Sequence, residues 1–369
     1  MSVTTAYMLR KKKRPRGRRR GRGRRGGGGA GIYPALKALG FIAGASPALC
    51  ERAVLGVLCN TFDEAEDALR RDGIPISAKR LRTVSMKFSR AALEQRRLRA
   101  ESPARAGSLA GRRIAVTIDG GRIRTRLAKR GRKKGFHTDW KEPKLFSIYE
   151  IDAGGRKAGK SLLACDGTID GPDGLIRLLA AELVIRGAAE ADRLVIIADG
   201  APWIWNSIDD LIRMAGLDAG KVTRILDFYH AAEHLKAISE ILYSSPAKQT
   251  QWFNKMRRML KTRAPKVFMA ELAACLGRGG NRILKREFNY FASNAASINY
   301  RIFRRMNLPI GSGVIESAIR RVVNLRLKGA GMFWIKENAE GLLHLRCQLK
   351  SGNWDSFYGS TIENLAKPG

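Results

Sequence analysis

At 369 residues with 44% apolar content, the chain is long enough for two or three domains around a real core. Its 69 Lys and Arg against 33 Asp and Glu leave a net charge of +36, which no fold requires and which a polyanion must offset, so nucleic acid is the expected partner. The five cysteines include no C-x-x-C pair, no stretch approaches 18 apolar residues, and the start lacks an apolar leader; these features argue against a disulfide framework, a cysteine-based zinc site, a membrane span and a secretory signal, and favour a cytoplasmic, nucleoid-associated protein.

Residues 1–29 are dominated by RKKKRPRGRRRGRGRR (10–25), in which 12 of 16 residues are basic, followed by Gly26 to Gly29. Such a run cannot pack, and a disordered phosphate-binding arm is expected, with a merely solvated tail as the plainer alternative. Residues 30–105 read as short helices. Thr61 caps one with acids in its first turn, DGIP (72–75) stops it, and Ser77 opens a basic helix carrying Lys79, Arg80, Arg82 and Lys87. Helix, glycine turn, basic helix is the outline of a helix-turn-helix-like DNA-binding domain.

A small, polar stretch, AESPARAGSLAG (100–111), marks a linker, and the periodicity then changes. RRIAVTID (112–119) predicts a buried strand, Gly120-Gly121 a hairpin turn, RIRTRLAKR (122–130) a returning second strand and KLFSIYEID (144–152) a third, while LACDGTIDGPDG (163–174) is turn chemistry. A helix over 173–186, the strand RLVIIAD (193–199), a helix over 207–216 and the strand KVTRILDFY (221–229) follow. Three consecutive strands, then helix, strand, helix, strand, is the order of an α/β, RNase H-like mixed sheet, here over 108–229. Residues 230–305 look wholly helical and form an insertion. Residues 306–350 resume the core with a basic helix from Ser312 to Gly329, and 351–369 are a C-terminal tail.

Three acids stand where chemistry would want them: Asp119 and Asp199 at strand ends, and Glu316 early in the late helix. In the RNase H arrangement the two strand ends are neighbours and the helix lies across them. Three clustered carboxylates repel one another, and a divalent cation such as Mg²⁺ or Mn²⁺ reverses that penalty while acting on a phosphodiester. Taken singly, each Asp-Gly is more often a turn former and an early helical Glu a dipole partner.

TIDGG (117–121), ADGAPWIWN (198–206), LDFYHAAEHL (226–235) and GSGVIESAIRRVVNLRLKGAGMFW (311–334) together resemble the DDE transposases of prokaryotic insertion sequences, specifically the ISKra-type group related to the Mutator-like superfamily. The resemblance covers roughly residues 31–350 and leaves the basic tail outside. It implies an RNase H-like core with a helical insertion before the final acid, and Asp119, Asp199 and Glu316 as metal-binding catalytic residues. Activity would be Mg²⁺-dependent cleavage and transfer of double-stranded DNA at terminal inverted repeats, by a homo-oligomer. In that family a His follows the second catalytic Asp; His230 takes this position and is a further catalytic candidate, with Asp227 beside it.

Arg320, Arg321, Arg326 and Lys328, with Lys133 and Lys134 in the loop 129–135, are expected phosphate contacts against the alternative of a solvated basic face. Trp203 is a candidate base-stacking residue, or else packs the sheet edge. Two further readings stand beside transposition. One is a nucleic-acid-binding protein derived from such an enzyme that no longer cuts. The other is a zinc metallopeptidase built on H-x-x-E-H (His230, Glu233, His234), which lacks a third ligand and leaves the charge unexplained.

Overall fold

The computed structural model describes residues 5–9, 31–129, 135–275 and 282–367. The basic run and the expected contacts Lys133 and Lys134 lie outside these residues. Two compact units divide the chain: Met1–Gln95 with Trp354–Gly369, and Arg96–Asn353.

In the first unit the two-residue strands β1 (Met8–Leu9) and β2 (Gly31–Ile32) pair antiparallel, followed by α1 (Pro34–Ala38), α2 (Pro47–Cys59), α3 (Phe62–Arg71) and most of α4 (Ala78–Glu101). Local chemistry sets the helix starts. Thr61 and Glu64 close a reciprocal capping box on α3, at 2.8 and 3.2 Å, and the Ser77 hydroxyl accepts the Arg80 N–H at 3.3 Å. Gly73, at φ +77°, makes the turn between α3 and α4. Residues 354–366, expected within a tail, instead form a helix (Trp354–Ala366) of this unit. Trp354 and Tyr358, one turn apart, pack on Phe88, the Tyr358 ring stacking on it at 5.1 Å, and the Tyr358 hydroxyl donates to the Pro47 carbonyl at 2.6 Å. A pair of aromatics at helical spacing is a weak sequence signal until α2 and α4 supply the surface that buries it.

The second unit runs β3 (Arg113–Gly120), β4 (Ile123–Ala128), β5 (Phe136–Lys141), β6 (Lys144–Glu150), β7 (Ala164–Thr168), α5 (Pro172–Ile185), β8 (Arg193–Ala198), α6 (Pro202–Trp205), α7 (Ile208–Met214) and β9 (Val222–Leu226). Five of these strands form a mixed sheet ordered β7-β6-β3-β8-β9; β6 is antiparallel to β3 and β7, whereas β3, β8 and β9 are parallel. Alternate residues of β3, Ile114, Val116 and Ile118, are buried with Leu175, Leu179 and Leu183 of α5 and Leu211 of α7.

Two strand assignments differ from the sequence expectation. Residues 123–128 are not the second strand of the main sheet: β4 pairs with β5 in a separate ribbon, with Ile123 opposite Lys141 and Ala128 opposite Phe136. The second strand is β6, and the third is β7, inside the segment expected to be turns. Turn composition was overridden by tertiary partners. The buried Asp166 accepts from Arg96 at 3.4 Å and contacts His344 Nδ1 at 3.0 Å. Burial alone would push its carboxyl up, but His344 and Arg96 more than reverse this and hold it below the ordinary range. Gly167 is required because a Cβ there would stand 2.7 Å from the Lys144 carbonyl oxygen across the β6–β7 pair.

The helical stretch is α8 (Phe228–Leu242), α9 (Pro246–Thr262), α10 (Pro265–Ala274), α11 (Arg282–Ser293) and α12 (Tyr300–Arg305), followed by α13 (Gly313–Ile319) and α14 (Lys336–Ser351). The expected single helix from Ser312 to Gly329 is cut short. α13 passes into a π-helical turn, Arg320–Asn324, in which the Leu325 N–H donates to the Arg320 carbonyl at 3.0 Å. The buried Arg346 of α14 holds this turn by donating to the carbonyls of Val322, at 2.7 Å, and Arg321. No helix among the described residues is long and apolar enough to cross a membrane.

Candidate active site

Parallel pairing of β3 with β8 sets Ile118 opposite Ala198, so Asp119 and Asp199 emerge at matched ends of neighbouring strands although 80 positions separate them. α13 packs against β3 and β6 and brings Glu316 to the same edge. Asp119 Oδ1 accepts the Gly120 N–H at 2.6 Å, and Asp199 Oδ1 accepts the Ala201 N–H at 3.0 Å. The Trp205 indole N–H donates to the Asp199 carbonyl at 2.8 Å and braces its backbone. Glu316 is exposed, with the Ser312 hydroxyl 3.4 Å from its Oε1; Ser312 thus faces Glu316 rather than capping α13 through its side chain.

Asp119 lies within electrostatic reach of the other two acids. Burial pushes the Asp119 carboxyl up, to about 6, and the charges of Asp199 and Glu316 add to this, while the Gly120 N–H and the nearby His230 act in the opposite direction. Because this folded-state value lies above that of an unfolded aspartate, the wild type loses stability as pH rises from about 4 to about 6. Asp119→Asn is therefore expected to be more stable than wild type by about 1–2 kcal/mol at pH 7, after allowing for solvent screening of a part-buried group, with the difference vanishing near pH 4. Urea denaturation at both pH values measures it; equal stabilities at pH 7 would show that the carboxylate is not strained.

The donor set suits a hard divalent cation in chemistry, being carboxylate oxygens, one of them pushed up chiefly by burial and further by its acidic neighbours. Its spacing is looser. Among the described residues, no group of three or more His, Cys, Asp or Glu side chains stands close enough together to hold one ion.

Asp227 organises the floor of the site. This fully buried carboxylate accepts the N–H groups of Tyr229, at 2.6 Å, and His230, at 2.9 Å, capping α8, and its other oxygen accepts the Ser312 N–H at the start of α13. Its own N–H donates to the Ala198 carbonyl at 2.8 Å, and the Phe228 N–H to the Ile310 carbonyl at 2.9 Å. One residue thus ties the end of β8 through its backbone, and the start of α8 and the helix of Glu316 through its side chain.

The histidines of H-x-x-E-H serve separate partners. His230 Nδ1 lies 3.5 Å from Glu233, and His230 is near enough to Asp119 for its charge to be felt there. His234 bonds to the buried Glu287 and stacks on Tyr290 at 3.6 Å. Tyr290 in turn lies against Gly200, where a Cβ would stand 2.0 Å from ring atom Cε2. Since the ring is clamped by His234, Gly200→Ala is expected to destabilise the protein by about 1–3 kcal/mol. Tyr290→Ala should relieve most of that cost, which a double-mutant cycle measures; additivity of the two changes would disprove the contact.

A cleft of about 600 Å³ opens beside Asp119, lined among others by Arg122, Trp140, Lys141, Asn324 and Lys328. Of the expected nucleic-acid contacts, Lys328 lines this cleft, and Arg320 and Arg321 are exposed. Arg326 is not on that face: it is buried, its guanidinium 5.2 Å from the Trp334 ring centroid, because the π-helical turn rotates it inward. Trp203 takes the packing alternative on one face. It packs on the sheet core with Lys144 Nζ 4.0 Å from its ring centre, so that ring face is taken. The exposed aromatic is Trp140, 46% accessible, with Arg122 4.5 Å from its centroid. Sequence reading missed Arg122, Trp140 and Lys141, since only the β4–β5 ribbon turns them toward Asp119. Gly120 and Gly121, expected as a hairpin turn, have no left-handed backbone; they permit close approach of Glu142 and Val323.

No family model and no curated protein matches the chain. Among solved structures it is similar to the Drosophila P element transposase strand transfer complex, at 10% identity over 86% of this chain and 81% of that chain, with a TM-score of 0.26. A likeness of that size carries no argument for fold or function.

Proposed function

We propose that the chain is a DDE transposase of the insertion-sequence, ISKra-type kind, with an RNase H-like core and a helix-turn-helix-like end-recognition domain, acting on double-stranded DNA as a homo-oligomer in the nucleoid. The observation that carries the reading is the placement of Asp119 and Asp199 at neighbouring parallel strand ends, with Glu316 on the helix packed against β3, beside a cleft rimmed by cations. The strand order β7-β6-β3-β8-β9 supports the RNase H-like part.

Asp119, Asp199 and Glu316 would hold Mg²⁺ or Mn²⁺, which supplies Lewis acidity at the phosphodiester. The protein groups do the rest. Asp119, whose carboxyl burial and the other acids push up in the absence of a cation, gains most from a divalent charge placed beside it. Arg122, Lys141 and Lys328 pair with phosphate oxygens, and Trp140 offers a face to an unpaired base at the cut end. In each step one P–O bond forms as another breaks: water frees a 3′-hydroxyl at the element's end, and that hydroxyl displaces a target-strand oxygen. His230, whose charge is felt at Asp119, favours the ionised form of that carboxyl.

The second reading, a nucleic-acid-binding protein that no longer cuts, is favoured by one observation, the loose spacing of the acids. Incubating duplexes bearing the element's ends with wild type and Asp199→Asn in Mg²⁺ decides between them. Cleavage by wild type alone supports the transposase; binding without cleavage by both selects the binder.

A further inference from the structure

The helical stretch carries a cationic surface remote in sequence from the acids. Lys261 of α9 and Arg301, Arg304 and Arg305 of α12 line a recess of about 400 Å³. A second recess, of about 560 Å³, is lined by Arg258 and Arg263 and shares Thr262 with the first. Lys255, on the rim of the second, pairs with Glu271 at 2.5 Å. Among the described residues, the five arginines have no carboxylate partner, and no acid lines either recess. So many uncompensated cations around two joined hollows repel one another, and the arrangement becomes favourable only when anions enter.

The lining identifies the ligand further. Arginine forks pair with phosphate oxygens two at a time, and neither recess is lined by an aromatic side chain on which a base could stack. Backbone phosphates of a double helix meet both conditions; an unpaired strand would want stacking faces. The surface is also anchored to the acidic site. The Tyr300 hydroxyl of α12 donates to the Leu226 carbonyl at the end of β9, at 2.9 Å, and Phe228, next to Asp227, packs edge-on against Tyr300 at 5.2 Å. Lys261 stands 5.5 Å from the Phe228 ring centre.

We infer that the α9–α12 surface is a sequence-independent platform for the phosphate backbone of duplex DNA, additional to the cleft at Asp119. The inference goes beyond strand cleavage and concerns binding alone. Its test is the salt dependence of full-chain binding to a labelled mixed-sequence duplex between 50 and 200 mM KCl. Each arginine lost from a phosphate contact lowers the log–log slope by about 0.9. Arg301→Gln/Arg304→Gln/Arg305→Gln should therefore flatten it by about 2.7, and Arg258→Gln/Arg263→Gln by about 1.8. Thermal unfolding checks that each variant folds, and the second pair carries the test if the triple does not. Slopes matching wild type overturn the platform, as does an effect confined to single-stranded DNA. A wild type that binds with the expected slope but does not cut duplexes bearing the element's ends overturns the catalytic reading and leaves the platform standing.

Discussion

Asp199→Asn is expected to bind duplex DNA as tightly as wild type and to cut it about 10³-fold more slowly in Mg²⁺. The two halves of the result have separate causes. Asp199 contributes little to the fold through its charge: its Oδ1 accepts one N–H, from Ala201 at 3.0 Å, and an asparagine oxygen preserves that bond. Its backbone is held by the indole of Trp205, which the substitution does not touch. What disappears is one negative charge at the strand end beside Asp119, where charge matters enough to help raise the Asp119 carboxyl to about 6. A cation drawn to this edge loses one of its formal counter-charges, and phosphoryl transfer without it lacks the main electrostatic stabilisation. Cleavage at the wild-type rate would remove Asp199 from the chemistry. Weakened binding with normal chemistry would make it a structural residue.

Asp227→Ala should produce the largest loss of stability, about 3–5 kcal/mol in urea denaturation. The carboxylate is fully buried and accepts three backbone N–H groups, from Tyr229, His230 and Ser312, which alanine leaves without an acceptor. Asp227→Asn keeps the shape and part of the acceptor capacity, so an intermediate loss of about 1–3 kcal/mol is expected. Cleavage should fall in both variants even where they remain folded, because Ser312 sets the start of α13 and α13 carries Glu316. A loss below about 1 kcal/mol for the alanine variant would mean that the carboxylate clip between α8 and α13 does not hold the site together.

The position of Glu316 shows how far local pattern reaches. Glycines, a serine and a glutamate near residue 312 predict a helix start, and one exists at Gly313. The end predicted at Gly329 does not, because buried Arg346, from a helix later in the chain, supplies donors that stabilise a π-helical turn instead. The same holds for β7: Asp166 and Gly167 look like turn residues until Arg96 and His344 pair with one and the β6 backbone crowds the other. Arg326, buried against Trp334, and Trp203, packed on the core beside Lys144, were undecidable for a related cause. Whether a basic or aromatic residue faces solvent depends on helix rotation and on the neighbour over its ring, neither of which is encoded within a few residues of it.

The sequence alone determined the charge, the positions of β3, β8 and β9, the helical stretch after His230 and the three acids, because apolar periodicity, capping residues and strand-end carboxylates act over a few residues. Tertiary structure alone decided which strands pair, which cations reach the cleft, and how near Asp119, Asp199 and Glu316 approach. Those are outcomes of long-range packing and of charge felt across space, settled only when β3, β8 and α13 meet.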